Sequence, residues 1–258
     1  MNRSTIYWIA FNTIISREIL RFSRIWVQTL LPSAVTTVLY FVIFGNLIGN
    51  QIGDMEGFRY IDFIVPGLIL MAVITNSYAN TVSSFYSAKF QHYVEEMLIA
   101  PIPNWIILAG YVGGGVARGV VVGIIVTIVS LFFSDLAINN YWVTFIVFVL
   151  TSILFALAGF INAIYANSFD DISIVPTFVL VPLTYLGGVF YSITLLPEIW
   201  QSVSLANPVL YMINAFRYGL LGVSDIPLWI AFLIILTFIS ILFSYAMFLL
   251  NKGVGTKT

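Results

Sequence analysis

Charge is scarce in this chain of 258 residues: Asp, Glu, Lys and Arg make up 8% of it, against about a quarter of an ordinary soluble domain. Cysteine is absent, which excludes disulfides and thiolate metal sites and leaves the redox compartment unread. The single histidine, His92, has no second ligand at metal-binding spacing and no H-E-x-x-H around it. A formal net charge of −1 gives no reason to expect nucleic acid as a partner. No run of Lys and Arg is dense enough for a dedicated anionic-lipid site. There is neither a G-x-S-x-G elbow nor a Walker A loop. The tail Gly253–Thr258 reads G-V-G-T-K-T, but it lacks the G-K-[ST] order and a following helix, so it is no phosphate loop. No cleavable leader is expected, because the first apolar run begins only near Ile25 and has no small-x-small cleavage site. The residues therefore assign no catalytic group, no metal site and no cofactor to this chain.

What remains is oil. The hydrophobic fraction is 60% and the mean hydropathy is +1.03. Ile25–Gly53, Phe63–Ala88, Leu136–Phe169, Ile172–Pro197 and Ile226–Asn251 contain no Asp, Glu, Lys or Arg. A helix needs roughly 20 apolar residues to cross a bilayer core. The expected fold is all-α and integral to a membrane, a single transmembrane domain over 1–258. Six spans are predicted at about Trp26–Ile48, Ile61–Val82, Trp105–Phe132, Trp142–Tyr165, Ile172–Phe190 and Leu228–Leu250. Trp26, Trp105, Trp142 and Trp229 fall at span starts, where an amphipathic ring favours the headgroup zone. Gly49–Gly57 and Asn139–Asn140 read as turns.

Orientation follows from Lys and Arg. With the N-terminus inside, Arg3, Arg17, Arg21, Arg24, Lys89, Lys252 and Lys257 are cytoplasmic and Arg59 and Arg217 are external. That bias places both termini in the cytoplasm. Thr5–Arg24 is amphipathic, with Arg17, Arg21 and Arg24 on one face and Trp8, Phe11, Ile15, Ile19 and Phe22 mostly on the other, and reads as a helix lying in the interface.

Two loops are more than turns. In Ser83–Asn104, Tyr86, Phe90, Tyr93, Val94 and Met97 recur at helical spacing with Ser87, Gln91, His92, Glu95 and Glu96 between them, and Pro101 and Pro103 end the pattern. This predicts a surface helix over 86–100, either resting on lipid or docking a soluble partner. Tyr191–Pro227 is long, apolar and broken by Pro197, Asn207, Pro208 and Gly222. It is expected to form a re-entrant helix pair over 195–222 at the external face, or a hairpin lying flat on it.

Span three carries the densest pattern. Gly110/Gly114, Gly115/Gly119 and Gly119/Gly123 are G-x-x-x-G pairs, which let helix backbones approach closely in lipid. Packing within the chain and a mobile or subunit-facing helix both fit. Arg118 lies about 20 Å along this helix. An arginine at that depth is expected to pair with a carboxylate or with carbonyls. Asp62, Asp135, Asp170 and Asp171 are the carboxylates within consideration. Asp170 and Asp171, before span five, read as helix caps rather than a cation site.

Two functional classes compete with transport driven by a separate engine. A secondary transporter needs ionisable groups near midplane for its coupling ion, and Arg118 is the only deep charge. A membrane-embedded lipid-modifying enzyme needs convergent nucleophile, acid–base or metal groups, and none is visible.

The run Glu95-Glu96-Met97-Leu98-Ile99-Ala100-Pro101 resembles the cytoplasmic coupling helix of the type-2 ABC exporter permeases. Tyr185-Leu186-Gly187-Gly188-Val189-Phe190, Leu196-Pro197, Asn207-Pro208 and Asn214-Ala215-Phe216-Arg217 are similar to that family's segment between its last two spans, and Gly110-Tyr111 and Arg118 fit the same pattern. The likeness covers essentially the whole chain, without a large insertion in the first external loop. It implies a half-transporter of a bacterial inner membrane, dimerising with a second copy around a central pathway. Two separate ATP-binding subunits would carry ATP and Mg. The N-terminal helix would be the connecting helix. Tyr86, Phe90, Tyr93, Glu95, Glu96 and Pro101 would couple to the ATPase. Gly110, Gly114, Gly115, Arg118 and Gly119 would serve helix packing or the pathway. Gly187, Gly188, Pro197, Asn207, Pro208 and Arg217 would belong to the re-entrant region.

Overall fold

A computed structural model describes residues 2–136 and 138–255. Lys257 and the end of the G-V-G-T-K-T tail lie outside the described residues. The N-terminal helix α1 runs Arg3–Arg24. The first apolar segment is broken: α2 (Trp26–Thr29), α3 (Leu31–Tyr40), a π-helical stretch Phe41–Ile48 and α4 (Gly49–Ile52) follow one another. Pro32, in the first turn of α3, cannot donate back to the preceding turn and obstructs it sterically, so the helix breaks at Leu30. The region read as the turn Gly49–Gly57 holds α4 and the first strand of a small antiparallel hairpin, β1 (Asp54–Met55) paired with β2 (Phe58–Arg59).

Helix α5 (Tyr60–Phe90) is the axis of the bundle. Its 31 residues make a rod about 46 Å long, longer than a hydrocarbon core of roughly 30 Å. Against it pack α7 (Asn104–Ser130) and α8 (Tyr141–Tyr165), and α13 (Leu228–Lys252) packs on α8 and α7. The short α6 (Tyr93–Ile99) follows α5 directly. The core is one apolar cluster in which Phe85 meets Tyr111 edge-on at 5.1 Å and Phe160 at 4.2 Å.

Five helices are long and apolar enough to cross a membrane among the described residues: Trp26–Gly45, α5, α7, α8 and α13. The predicted fifth span, Ile172–Phe190, is shorter in the structure. It consists of α9 (Asp171–Val175), a π-helical stretch Pro176–Leu180 and α10 (Val181–Tyr185). Fifteen residues of helix reach about 22 Å, short of the hydrocarbon thickness. Pro176 and Pro182 remove two backbone donors from this stretch, and Gly187–Gly188 end it, with Gly188 at φ +76°.

One further expectation is corrected. The helix read over 86–100 is two elements: Tyr86–Phe90 is the last part of α5, and α6 begins only after His92, which adopts a left-handed φ of 61°. The predicted pair over 195–222 consists of a 3₁₀ turn Ile193–Leu195, α11 (Glu198–Leu205) and α12 (Pro208–Leu221). Asn207 caps α12 through its side-chain oxygen, which accepts from Val209 N at 2.9 Å, and Pro208 occupies the first helical position.

Candidate functional site

Three groups of residues mark the two ends and the middle of the bundle. The first is a foot at the far end of α5. Phe90 is 62%, Tyr93 45% and Ile99 86% exposed, while Val94 packs inward. Glu96 and Pro101 are exposed as well, and Glu95 Oε1 lies 3.1 Å from His92 Nδ1. Tyr86 does not share this surface. It is buried and meets the Phe169 ring edge-on at 4.9 Å, so it braces the foot from within.

The foot is tied to α8 and α9. Lys89 Nζ donates to the carbonyls of Ile164 at 2.7 Å and Ala166 at 2.8 Å, satisfying the last turn of α8. Ser168 and Asp171 form a reciprocal cap. Asp171 Oδ2 accepts from the backbone N–H groups of Asn167 and Ser168, and Ser168 Oγ accepts from Asp171 N. The backbone donor of Asn167 and the hydroxyl of Ser168 hold the Asp171 carboxyl below the usual carboxylate range. A depressed folded pKa gives stability that is complete above the unfolded value and is lost as pH falls through the folded one. The start of α9 should therefore loosen on acidification below about pH 4. Asp171→Asn should remove that acid step from a proteolysis or hydrogen-exchange profile of residues 166–175.

The second group is the glycine tract of α7, which has two faces. A Cβ at Gly110 would come within 2.8 Å of Ile14 Cβ, and one at Gly114 within 2.4 Å of Glu18 Cβ, both on α1. A Cβ at Gly115 would meet Thr81 Oγ1 at 2.2 Å, and one at Gly119 would meet Ser77 Oγ at 2.0 Å, both on α5. These glycines seat the chain's own helices on opposite sides of α7.

Arg118, on the same helix, contacts none of the four carboxylates considered for it. Its Nη2 donates to the carbonyl of Thr29 at 3.1 Å and to Asn76 Oδ1 at 2.9 Å. Asn76 in turn donates to Ser33 Oγ at 2.9 Å. The carbonyl is available because the helix is interrupted at Leu30. Asp62 and Asp135 are held elsewhere, at 2.8 Å from Arg59, and Asp171 is engaged in its cap. Ser33, Thr36, Thr37, Tyr40 and Thr75 line an open groove of about 180 Å³ beside this chain of hydrogen bonds.

Sequence reasoning missed Glu18. It is fully buried, accepts from Ser84 Oγ at 2.5 Å, and lies 3.5 Å from both Arg21 Nη2 and Asn80 Nδ2.

The third group surrounds Arg217 on α12, at the Tyr60 end of α5. Arg217 is fully buried, its guanidinium lies 4.0 Å above the Phe63 ring, and Nη2 donates to the Gly188 carbonyl at 2.6 Å. Asn207 Nδ2 donates to the Leu183 carbonyl at 2.6 Å, and a Cβ at Gly187 would meet Val209 Cγ1 at 2.8 Å. These contacts bring Gly187, Gly188, Asn207, Pro208 and Arg217 together. Pro197 stands apart from this core, at the cap of α11. Asp225 ties the neighbouring loop down, accepting from Ser192 Oγ at 2.8 Å and from Ile193 N at 3.2 Å. Burial and the adjacent Asp225 carboxyl push the Glu56 carboxyl up, against the pull of Ser192 and Arg217. Among the described residues no three His, Cys, Asp or Glu side chains come together as metal ligands would.

A family model described as ABC-2 type transporter matches residues 9–221. The chain is 56% identical over 253 residues to the inner membrane transport permease YadH of Escherichia coli strain K12, covering 98% of this chain and 99% of that one. It is 23% identical over 247 residues to nodulation protein J of Rhizobium leguminosarum bv. viciae, with 93% of each chain covered. Nodulation protein J of Rhizobium meliloti strain 1021 is also 23% identical, over 220 residues, with 83% of this chain and 81% of that one covered.

Proposed function

The chain belongs to the ABC-2 type transporter family, and from that premise we propose that it is the inner-membrane permease half of an ATP-driven exporter. It pairs with a second copy and couples to two ATP-binding subunits that carry ATP and Mg. Both termini lie in the cytoplasm, α1 serves as the connecting helix, and α11 with α12 forms a re-entrant pair closing the outer side.

The continuity of α5 supports this reading most. A single rod joins the Arg217 region at one end to an exposed apolar foot at the other. Phe90, Tyr93 and Ile99 project there beside Glu96 and Pro101, a surface suited to a soluble partner. Closure of two ATP-loaded subunits under the foot would displace α5 as a rigid lever. The dimer is supported by a second surface. Val35, Leu39, Val42 and Ile43 on the first span, with Ile174, Phe178 and Val181 on the short helix, are all exposed. Tyr40 and Tyr185, 3.1 Å apart at their hydroxyls, join the two elements.

Reversing the charge of the foot tests the coupling. Glu96→Arg should leave membrane insertion intact and lower retention of the co-expressed ATP-binding subunit at least about tenfold, a loss of roughly 1.4 kcal/mol. Undiminished co-purification would remove the foot as the docking element.

A further inference from the structure

Glu18 is the sole acidic residue of α1. It faces away from Arg17 and into the bundle, above Gly114, whose missing side chain leaves room for its stem. Its carboxylate accepts from Ser84 Oγ, with Asn80 Nδ2 and Arg21 Nη2 at 3.5 Å. Arg21 Nη2 then donates to both the backbone carbonyl and Oδ1 of Asn80 at 2.9 Å, and Nη1 reaches Ser83 Oγ at 3.3 Å. Two residues one turn apart on α1 thus grip one turn of α5, Asn80–Ser84. A carboxylate taken into a dry interior is destabilising unless it is paired and hydrogen-bonded. An apolar residue would pack there with less demand on its partners, but it would not fix the register between two helices.

The gripped turn lies six residues, about 9 Å, from the end of α5 at Phe90. Beyond it Arg17 lines one groove of about 310 Å³ with Tyr93, Glu96, Met97, Ala100 and Ile102 of the foot segment. We propose that Glu18 is a positioning residue, clamping α1 to α5 and α7 so that the N-terminal helix and the foot move as one body. This rests on the foot being the ATPase-coupling element. Motion delivered to α6 then carries α1 with it, and the joint absorbing that motion lies beyond α1, at the break around Leu30.

Two experiments bear on it. In the permease alone, in lipid nanodiscs, Glu18→Ala should speed amide hydrogen exchange across residues 8–22 at least tenfold and leave α8 unchanged. Equal exchange in variant and parent, or uniform loosening of every helix, overturns the clamp. The second uses the absence of cysteine. Ile14→Cys with Gly110→Cys removes the Ile14 branches that crowd position 110; the two Cβ atoms start 2.8 Å apart, and a separation of the helices by about 1 Å brings them to the roughly 3.8 Å a disulfide favours. With this bond closed, the complete complex in proteoliposomes should hydrolyse ATP at its reduced rate. A rate restored only by reductant means that α1 must slide on α7, and the proposal fails. A complex that never assembles, with normal exchange behaviour in the permease, counts against the ATPase coupling and not against the clamp.

Discussion

Gly159→Val should wedge the bundle apart. Gly159 on α8 faces the α5 backbone, and a Cβ there would stand 2.6 Å from the carbonyl oxygen of Tyr78. Side-chain repacking gives no relief when the obstacle is main chain, so α5 and α8 must separate. Overpacking a close contact costs about 1–3 kcal/mol and occasionally more, and this site belongs at the upper end. For a chain of this size that is a fall of roughly 10 °C in melting temperature, measurable in detergent by the loss of the monodisperse peak. Gly113→Ala is the control. Its Cβ would meet the Ile15 side chain alone, Cδ1 at 2.8 Å and Cγ1 at 3.5 Å, a side chain whose tip can swing aside. Equal melting of the two variants would mean that the α5–α8 contact is not the tight point of the fold.

Arg217→Ala should be at least as damaging, for a different reason. The substitution opens a cavity beside Phe63, orphans the Gly188 carbonyl and withdraws the positive charge that faces Glu56 and Asp225. Breaking a buried charged arrangement from one side costs about 3–5 kcal/mol. Arg217→Lys should recover part of that, since the charge returns without the planar fork that lies on the ring. Membrane yield and thermal unfolding of the three proteins should fall in the order wild type, Lys, Ala. An alanine variant as stable as wild type would show that Arg217 carries no weight in fastening α12.

The spans beginning near Trp105, Trp142 and Leu228 were legible because unbroken apolar length is a property of composition. The amphipathic start was legible too, but its buried face was not. Phe11, Ile15 and Phe22 are spaced so that the same stripe passes through position 18. A lone carboxylate on an apolar stripe was the available signal, and its nearness to Arg17 and Arg21 disguised it as part of a polar face. Arg118 misled in the opposite way. Opposite charge is not the only partner a deep arginine takes: Pro32 interrupts a helix, and an interrupted helix offers carbonyls such as that of Thr29. The turn before α6 carries neither glycine nor proline. His92 makes it, being among the few residues besides glycine that enter the left-handed region readily. The short fifth helix was over-read because apolar length continues through Gly187–Gly188 although helical length does not.

The wide-turned stretches Phe41–Ile48 and Pro176–Leu180 carry a mechanical consequence. A π turn holds surplus backbone that can migrate along a helix, one carbonyl handed over at a time, without the cylinder opening. Each residue of migration rotates the segment it passes by about 100° about its own axis. Tyr40 directly precedes the first of these stretches, so a one-step shift toward it would swing its aromatic ring to a new position along the exposed surface. The wall could then change its chemistry while its helices stay in place, a corkscrew stroke requiring little lateral room in a crowded bilayer.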